Sequence, residues 1–401
     1  MGCSRMRIAW LALGAVFASA TATAGCDVPS GGVTGALPPQ FSFAAVGDAI
    51  IQRPAGRLIR QRAPLIAQQL SAASVSFGNF ETNSFELQGF SGRPRAHPDG
   101  FLLLAPPIVP RELHRLGLSL VSVANNHAGD FGSQGMLATA RTLRETGLVS
   151  AGTGSNQASA IAAGCVRAQG AVVALVAATS TFMDGDAATA DGPGVDALHL
   201  ARHDERFVLD DADLQALLGS IRDARRAAAL VLFSLHAHEA DSDPRQPPDF
   251  EVRLAHAAVD AGADVFIGHG PHQLRGIEIY RGRPIFYSLG NFAVMQAVPQ
   301  INPHPAPIPA GSIFTQRAFF EGVLATGRYL RGRLTELRLY PFELADTGRP
   351  DTHGLPQAVS TVAGRAILER LRTLSRPFGT EIRITAGAVG VVDLTGPGGT
   401  P

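Results

Sequence analysis

The chain has 401 residues, 45% of them hydrophobic, and 34 basic residues balance 34 acidic ones. That much apolar material can fill a sizeable core, and the balanced charge offers no basic face for a nucleic acid. All the basic residues are arginine, which excludes a P-loop lysine, a Schiff-base lysine and a Ser-Lys dyad.

Residues 1–26 read as an export signal. Arg5 and Arg7 precede an apolar run from Ile8 to Ala20, too short for a comfortable membrane span, and Ala22-Thr23-Ala24 forms a small-residue cleavage site. An exported protein is therefore expected: periplasmic, extracellular or lipid-anchored in the cell envelope. The lipid-anchored reading rests on Cys26, which follows Ala24-Gly25 and could carry the lipid. Cys26 and Cys165 are the cysteines left after cleavage. One is terminal and the other reads as part of a helix-to-strand turn, so no structural disulfide is expected.

Residues 27–40 form a Gly/Pro-rich linker. The main domain is expected over residues 41–292. It opens with FSFAAVGDAII, a buried strand with Gly47-Asp48 at its carboxyl end. A helix around Leu58 to Ala73 leads to a second strand, SVSFGNFETN, that presents Asn79 and Glu81. A helix ending at Gly117 precedes LSLVSVANNHAGDFG, a third strand followed by Asn125, Asn126, His127 and Asp130. Ser133 is placed to N-cap the next helix, with Met136, Leu137, Ala140 and Leu143 on one face. AVVALVAATS is another buried strand, and residues 183–210 form a loop-rich acidic insertion. After an amphipathic helix, LVLFSLHAHE ends in His236, His238 and Glu239. A last helix feeds VFIGHGPH, which delivers His269 and His272, and the hairpin GIEIY/RPIFYSL ends on Gly290-Asn291. This alternation of strands and helices predicts an α/β protein. Residues 293–385 are read as a C-terminal extension of the same sheet system with strands and a helix, and 386–401 as a loose Gly-rich tail.

Each singled-out polar residue follows an apolar run of strand length, where α/β proteins place binding groups. The chain has only 12 histidines, so their gathering at strand ends is not expected from composition. Asp48, Glu81, Asn126, His236, His269 and His272 make a mixed oxygen and nitrogen set. Such a set suits zinc, manganese or iron, one ion or two, rather than a thiolate site. His127, next to Asn126, is the candidate general acid. Asn125 is expected to hold the loop backbone, and Asp130 to mark a helix entry or orient a neighbour. His238 and Glu239 either orient ligands or touch substrate, and Asn291 lies beside the site.

The motifs VGD, NFE, ANNHAGDFGSQGM, SLHAHE, GADVFIGHGPH and GRPIFYSLGNF run in this order from Phe41 to Phe292. Together they resemble the CapA family, the poly-γ-glutamate capsule biosynthesis proteins. The domain of that family is similar to the calcineurin-like metallophosphatases. The resemblance therefore implies a four-layer α/β/β/α sandwich with a metal site at the strand ends. It implies Asp48 as the first metal-binding Asp, Glu81 as the bridging carboxylate and Asn126-His127 as ligand then acid. His236 matches the lone strand-end His, and His269 and His272 match the closing pair. Ile50 stands where the metallophosphatase pattern Asp-x-His has its His. Pro271 stretches the closing pattern, which leaves open whether His269 or His272 binds.

The expected function is synthesis, transfer or release of poly-γ-glutamate or a related anionic capsule or envelope polymer, by metal-activated attack of water or a hydroxyl. Two alternatives stand beside it: a metal-dependent phosphoesterase or amide hydrolase acting on another envelope substrate, and a non-catalytic binder of an anionic ligand. The implied partners are an anionic polymer or a phosphate- or glutamate-containing substrate, and a membrane-bound polymer synthase. No nucleic-acid partner is implied.

Overall fold

The computed structural model describes residues 22–23, 26, 36–95, 101–204, 206–295, 312–346 and 351–395. The arginines and apolar run of the export signal lie outside them.

Two large sheets carry the fold. In the first, Gln40–Ile50, Val75–Phe80, Leu120–Ser122 and Val149–Ala151 lie parallel in that order. The hairpin of Glu321–Leu330 and Arg333–Leu344 continues this sheet on the other side of Gln40–Ile50. In the second sheet, Ala171–Thr179, Leu230–His236, Val265–His269 and Arg283–Phe286 lie parallel. Runs such as AVVALVAAT and LVLFSLH are apolar almost throughout, as parallel strands covered on both faces require.

Phe43, Ala45, Phe77 and Leu120 of the first sheet share one core with Val173, Leu175, Leu232 and Ile267 of the second. The opposite face of the first sheet, with Ala44, Val46 and Val121, packs on Ile59, Leu70, Leu113 and Leu143 from four helices. The opposite face of the second, with Val176, Phe233 and Phe266, packs on Leu217, Ile221, Leu254 and Ala258 of the Asp211–Ala227 and Asp249–Ala261 helices. The fold is thus mixed α/β, as the alternation of elements predicts.

One irregularity decides where the site forms. The register between Gln40–Ile50 and Val75–Phe80 shifts between Ala45 and Asp48. Before the shift, Phe43 and Ala45 face the second sheet, while Ala44 and Val46 face the helices; beyond it, Ala49 and Ile51 face the helices. The bulge inverts the alternation and turns Asp48 toward the second sheet.

Several local expectations need correction. The helix expected over Leu58 to Ala73 is two helices, Gly56–Arg62 and Pro64–Ala72, because Pro64 opens a new one. Ser133 is not an N-cap: its helix starts at Gly132, with Phe131 before it. Leu137 is 38% exposed, and Met136, Thr139 and Leu143 form the buried face, at the helical spacing of three and four. The Gly-rich tail is not loose from its start. Gly390–Val392 pairs with Ile382–Ile384 and with the Arg333–Leu344 strand, and Val392 enters the core.

Cys26 and Cys165 form a disulfide across 139 positions, with Cα atoms 5.3 Å apart. This overturns the expected absence of a bridge. The physical reason is pairing at long range. Cys165 lies in the Gly164–Ala168 strand rather than in a turn. Cys165→Ala is expected to lower unfolding stability in urea by about 2–4 kcal/mol, as for other native bridges. A midpoint that neither this substitution nor added reductant moves would contradict the bridge.

Candidate functional site

Cross-strand register sets the site. In the second sheet Thr179, His236 and His269 stand opposite one another at the carboxyl ends of three parallel strands. In the first sheet Asn291 is opposite Asp48, Asp48 opposite Asn79, and Asn79 opposite Ser122. The two rows face each other across the gap between the sheets. Gly47 makes the approach possible. A Cβ there would lie 1.7 Å from the Gly290 carbonyl oxygen, which accepts the Asp48 N–H at 3.2 Å.

Among the described residues, two groups of side chains could each hold a metal ion: Asp48, His236 and His269, and Glu81, His238 and His272. The ligand atoms within each group lie within 4.8 Å of one another. His269 Nδ1 is 3.6 Å from Asp48 Oδ1, and His272 Nε2 is 3.9 Å from Glu81 Oε1. His236 lies between the groups. Its Nδ1 is 2.9 Å from His269 Nδ1, and its Nε2 is 2.9 Å from His238 Nε2 and 4.0 Å from Glu81 Oε1.

The residues fit a divalent cation on three observations. Glu81 Oε1 is buried with no hydrogen-bond partner. Two pairs of imidazole nitrogens point at each other at hydrogen-bond distance, and only a proton or a cation can reconcile two lone pairs so placed. Burial also pushes the pKa of His236 well below its ordinary value and that of His269 down to about 4, so both rings are neutral near pH 7, whereas His272, against its burial, is raised to about 9 by the charges of Glu81 and Asp48. The carboxylates are asymmetric. Burial works against a charge on Asp48, yet the hydrogen bond and charge of His272, with the charge of His269, hold it down to about 2. Burial, then repulsion from Asp48, raises Glu81 to about 8. A cation between the two would remove that repulsion.

Neighbouring groups fix how the ligands point. Ser234 Oγ lies 2.6 Å from His269 Nε2, which turns Nδ1 toward Asp48. Asn291 Oδ1 lies 2.9 Å from His272 Nδ1, and Asn291 Nδ2 donates to the His272 and Phe319 carbonyls. Asn79 is the hub. Its Nδ2 donates to Asp48 Oδ1 at 2.8 Å and to Glu81 Oε2 at 3.2 Å, and its Oδ1 accepts from Asn125 Nδ2 at 3.2 Å. Asn125 also donates to the Phe80 carbonyl. Asp130 Oδ2 lies 3.0 Å from His127 Nδ1 and accepts the Leu103 N–H.

The site opens into a cavity of about 840 Å³, lined by Asn126, His127, His238 and His272 among others. Asn126 sits beside His127 on its wall. Glu239 does not line it. Its carboxylate accepts hydrogen bonds from Ser180 and Thr181 and so braces the loop that carries His238.

Two contributors escaped the sequence reading. Ser234 stands two residues before His236, on the same face of the strand, and that period was the available signal. His353 lines the cavity with its ring 6.0 Å from Phe320. No local pattern marks it.

Residues 42–296 match the family described as bacterial capsule synthesis protein PGA_cap. The chain belongs to this family. A Sinorhizobium fredii protein, y4sH, described as uncharacterized, is 34% identical over 88% of this chain and 93% of its own length. The PGA biosynthesis protein CapA of Bacillus subtilis is 34% identical over 46% of this chain and 44% of its own. A Mycobacterium tuberculosis protein described as a probable polyglutamine synthesis accessory protein is 32% identical over 55% of this chain and 56% of its own. The match to the capsule synthesis family spans every ligand candidate from Asp48 to Asn291.

The contact at Gly47 gives a direct test. Gly47→Ala forces a methyl into the Gly290 carbonyl, and an overpacked buried site of this kind costs about 1–3 kcal/mol or more. The expected result is a lowered unfolding midpoint together with weaker zinc binding by calorimetry, because Asp48 is displaced. Unchanged zinc affinity would show that the close approach does not aim Asp48.

Proposed function

We propose that this protein is an exported, metal-dependent hydrolase or transferase that acts on poly-γ-glutamate or a related anionic envelope polymer, alongside a membrane-bound polymer synthase. The observation that carries the reading is the convergence of Asp48, Glu81, His236, His238, His269 and His272 behind a cavity whose lining includes His238 and His272, in a capsule synthesis family member. The three cores support a four-layer α/β/β/α sandwich of the metallophosphatase type, two between helices and a sheet and one between sheets. The disulfide supports export, since bridges persist in oxidising compartments.

When bound, a zinc, manganese or iron ion supplies a Lewis acid that activates water and neutralises a developing oxyanion. The chain supplies the rest. Asp48, His236 and His269 would hold one ion, and Glu81, His238 and His272 a second, with His236 between them. Asn79 keeps the two carboxylates in place by donating to both. His127 is the proton donor. Asp130 engages its Nδ1, so the proton given to a leaving group comes from Nε2. Asn126, beside it, is placed to contact an ion or substrate from the wall.

The test uses zinc- or manganese-loaded protein against a γ-glutamyl oligomer and, separately, a generic phosphodiester. His127→Ala is expected to lower kcat by about 10²–10⁴ on whichever substrate turns over, with KM changed much less. Turnover that survives the substitution unchanged would remove His127 as the acid. Absence of turnover on both substrates, with ligand binding retained, would make the protein a binder rather than an enzyme.

A further inference from the structure

The walls of the cavity differ in chemistry from its floor. From His272 outward runs a continuous aromatic surface. The ring of Phe314 is 6.0 Å from that of His272, and the ring of Phe319 is 5.7 Å from it. Phe314 and Phe319 are 5.1 Å apart, and Phe320 follows at 5.2 Å from Phe319. Phe101, Phe182 and Met183 also line the cavity. The fixed charges among the lining residues are already matched. Arg245 donates to Asp243 at 2.9 and 3.0 Å, and Arg275 pairs with Glu251 at 2.9 Å. Among the described lining residues, the stretch Phe314, Phe319 and Phe320 offers an anionic group no partner, so carboxylates or phosphates would be held at the histidines rather than along these walls. An apolar group would instead be covered by aromatic rings that start beside a candidate ligand.

We propose that the cavity takes an amphiphile: an anionic head, phosphate or carboxylate, at the histidine-carboxylate floor and a hydrocarbon portion against Phe314, Phe319 and Phe320. This rests on the metal-dependent reading for the head alone. The hydrocarbon portion rests on the aromatic wall. The inference thus narrows the envelope substrate of the proposed function to one that joins an apolar chain to its anionic group, such as a phosphorylated or carboxylated lipid-like molecule.

The experiment is calorimetric titration of the metal-loaded full-length protein with ethyl, butyl, hexyl and octyl phosphate below their micelle concentrations. The matching alkanoates form a second arm that separates the two head groups, and inorganic phosphate a third that has no chain. Affinity is expected to rise about two- to fourfold per added methylene over the shorter members. Phe314→Ala, at a half-buried position where folding is not at stake, is expected to flatten that rise several-fold over the series. Two results would overturn the inference: affinity independent of chain length, or a chain-length dependence that Phe314→Ala leaves intact. The metal reading fails separately. In that case inorganic phosphate shows no response to metal, while the chain-length series can still rise.

Discussion

Two carboxylates, Asp48 and Glu81, are taken out of water side by side, and the surrounding structure answers to that cost. Both are fully buried, and an unpaired buried charge is worth several kcal/mol of instability. The chain responds with the donor pair of Asn79, the Gly270 N–H on Asp48 at 3.2 Å, and a ring of imidazoles. That response is incomplete by itself. One Glu81 oxygen stays without a hydrogen bond, and imidazole nitrogens meet face to face. Such an arrangement leaves room for a positive charge beyond that of His272.

The architecture brings the groups together cheaply. Parallel strands deliver their carboxyl ends in a row, and two sheets packed face to face bring two rows into contact. His236 and His269 need nothing beyond ordinary register to stand opposite each other. Asp48 needs more. The bulge before it and the bare Gly47 against Gly290 turn it from the helix side into the gap between the sheets. The aromatic wall then begins at His272, whose main chain is tied to Asn291, which is in turn tied to Phe319. Floor and wall are therefore held by one short chain of hydrogen bonds, so a change at Asn291 reaches both the ligand and the surface above it.

Much of this was legible in the sequence. Asp48, Glu81, His236, His269 and His272 each close an apolar run of strand length, and periodicity alone places them at strand ends. The hairpin turns Arg281-Gly282 and Arg331-Gly332 were equally plain, and both residues of each turn have the positive φ that a tight hairpin asks for. What stayed hidden depends on distance in sequence. The Cys26–Cys165 bridge joins positions 139 apart, which no local pattern announces. The bulge at Gly47 is a register event between two strands and has no composition signal. The aromatic wall comes from two short helical turns, Ile313–Thr315 and Arg317–Phe320, that no motif marks, and His353 arrives from further still. Local chemistry showed which residues stand at the strand ends; tertiary pairing decides how they are aimed and what surrounds them.

The central claim is that the buried floor holds a divalent cation. The most direct measurement is elemental analysis of purified protein, stripped with chelator, reconstituted with zinc, manganese or iron, and freed of excess ion. The account predicts one or two equivalents retained by the wild-type chain, a midpoint of thermal unfolding raised by several degrees, and loss of both in an Asp48→Ala/His269→Ala double substitution. Retention of no stoichiometric metal by a folded wild-type chain would contradict it, as would equal retention by the double variant.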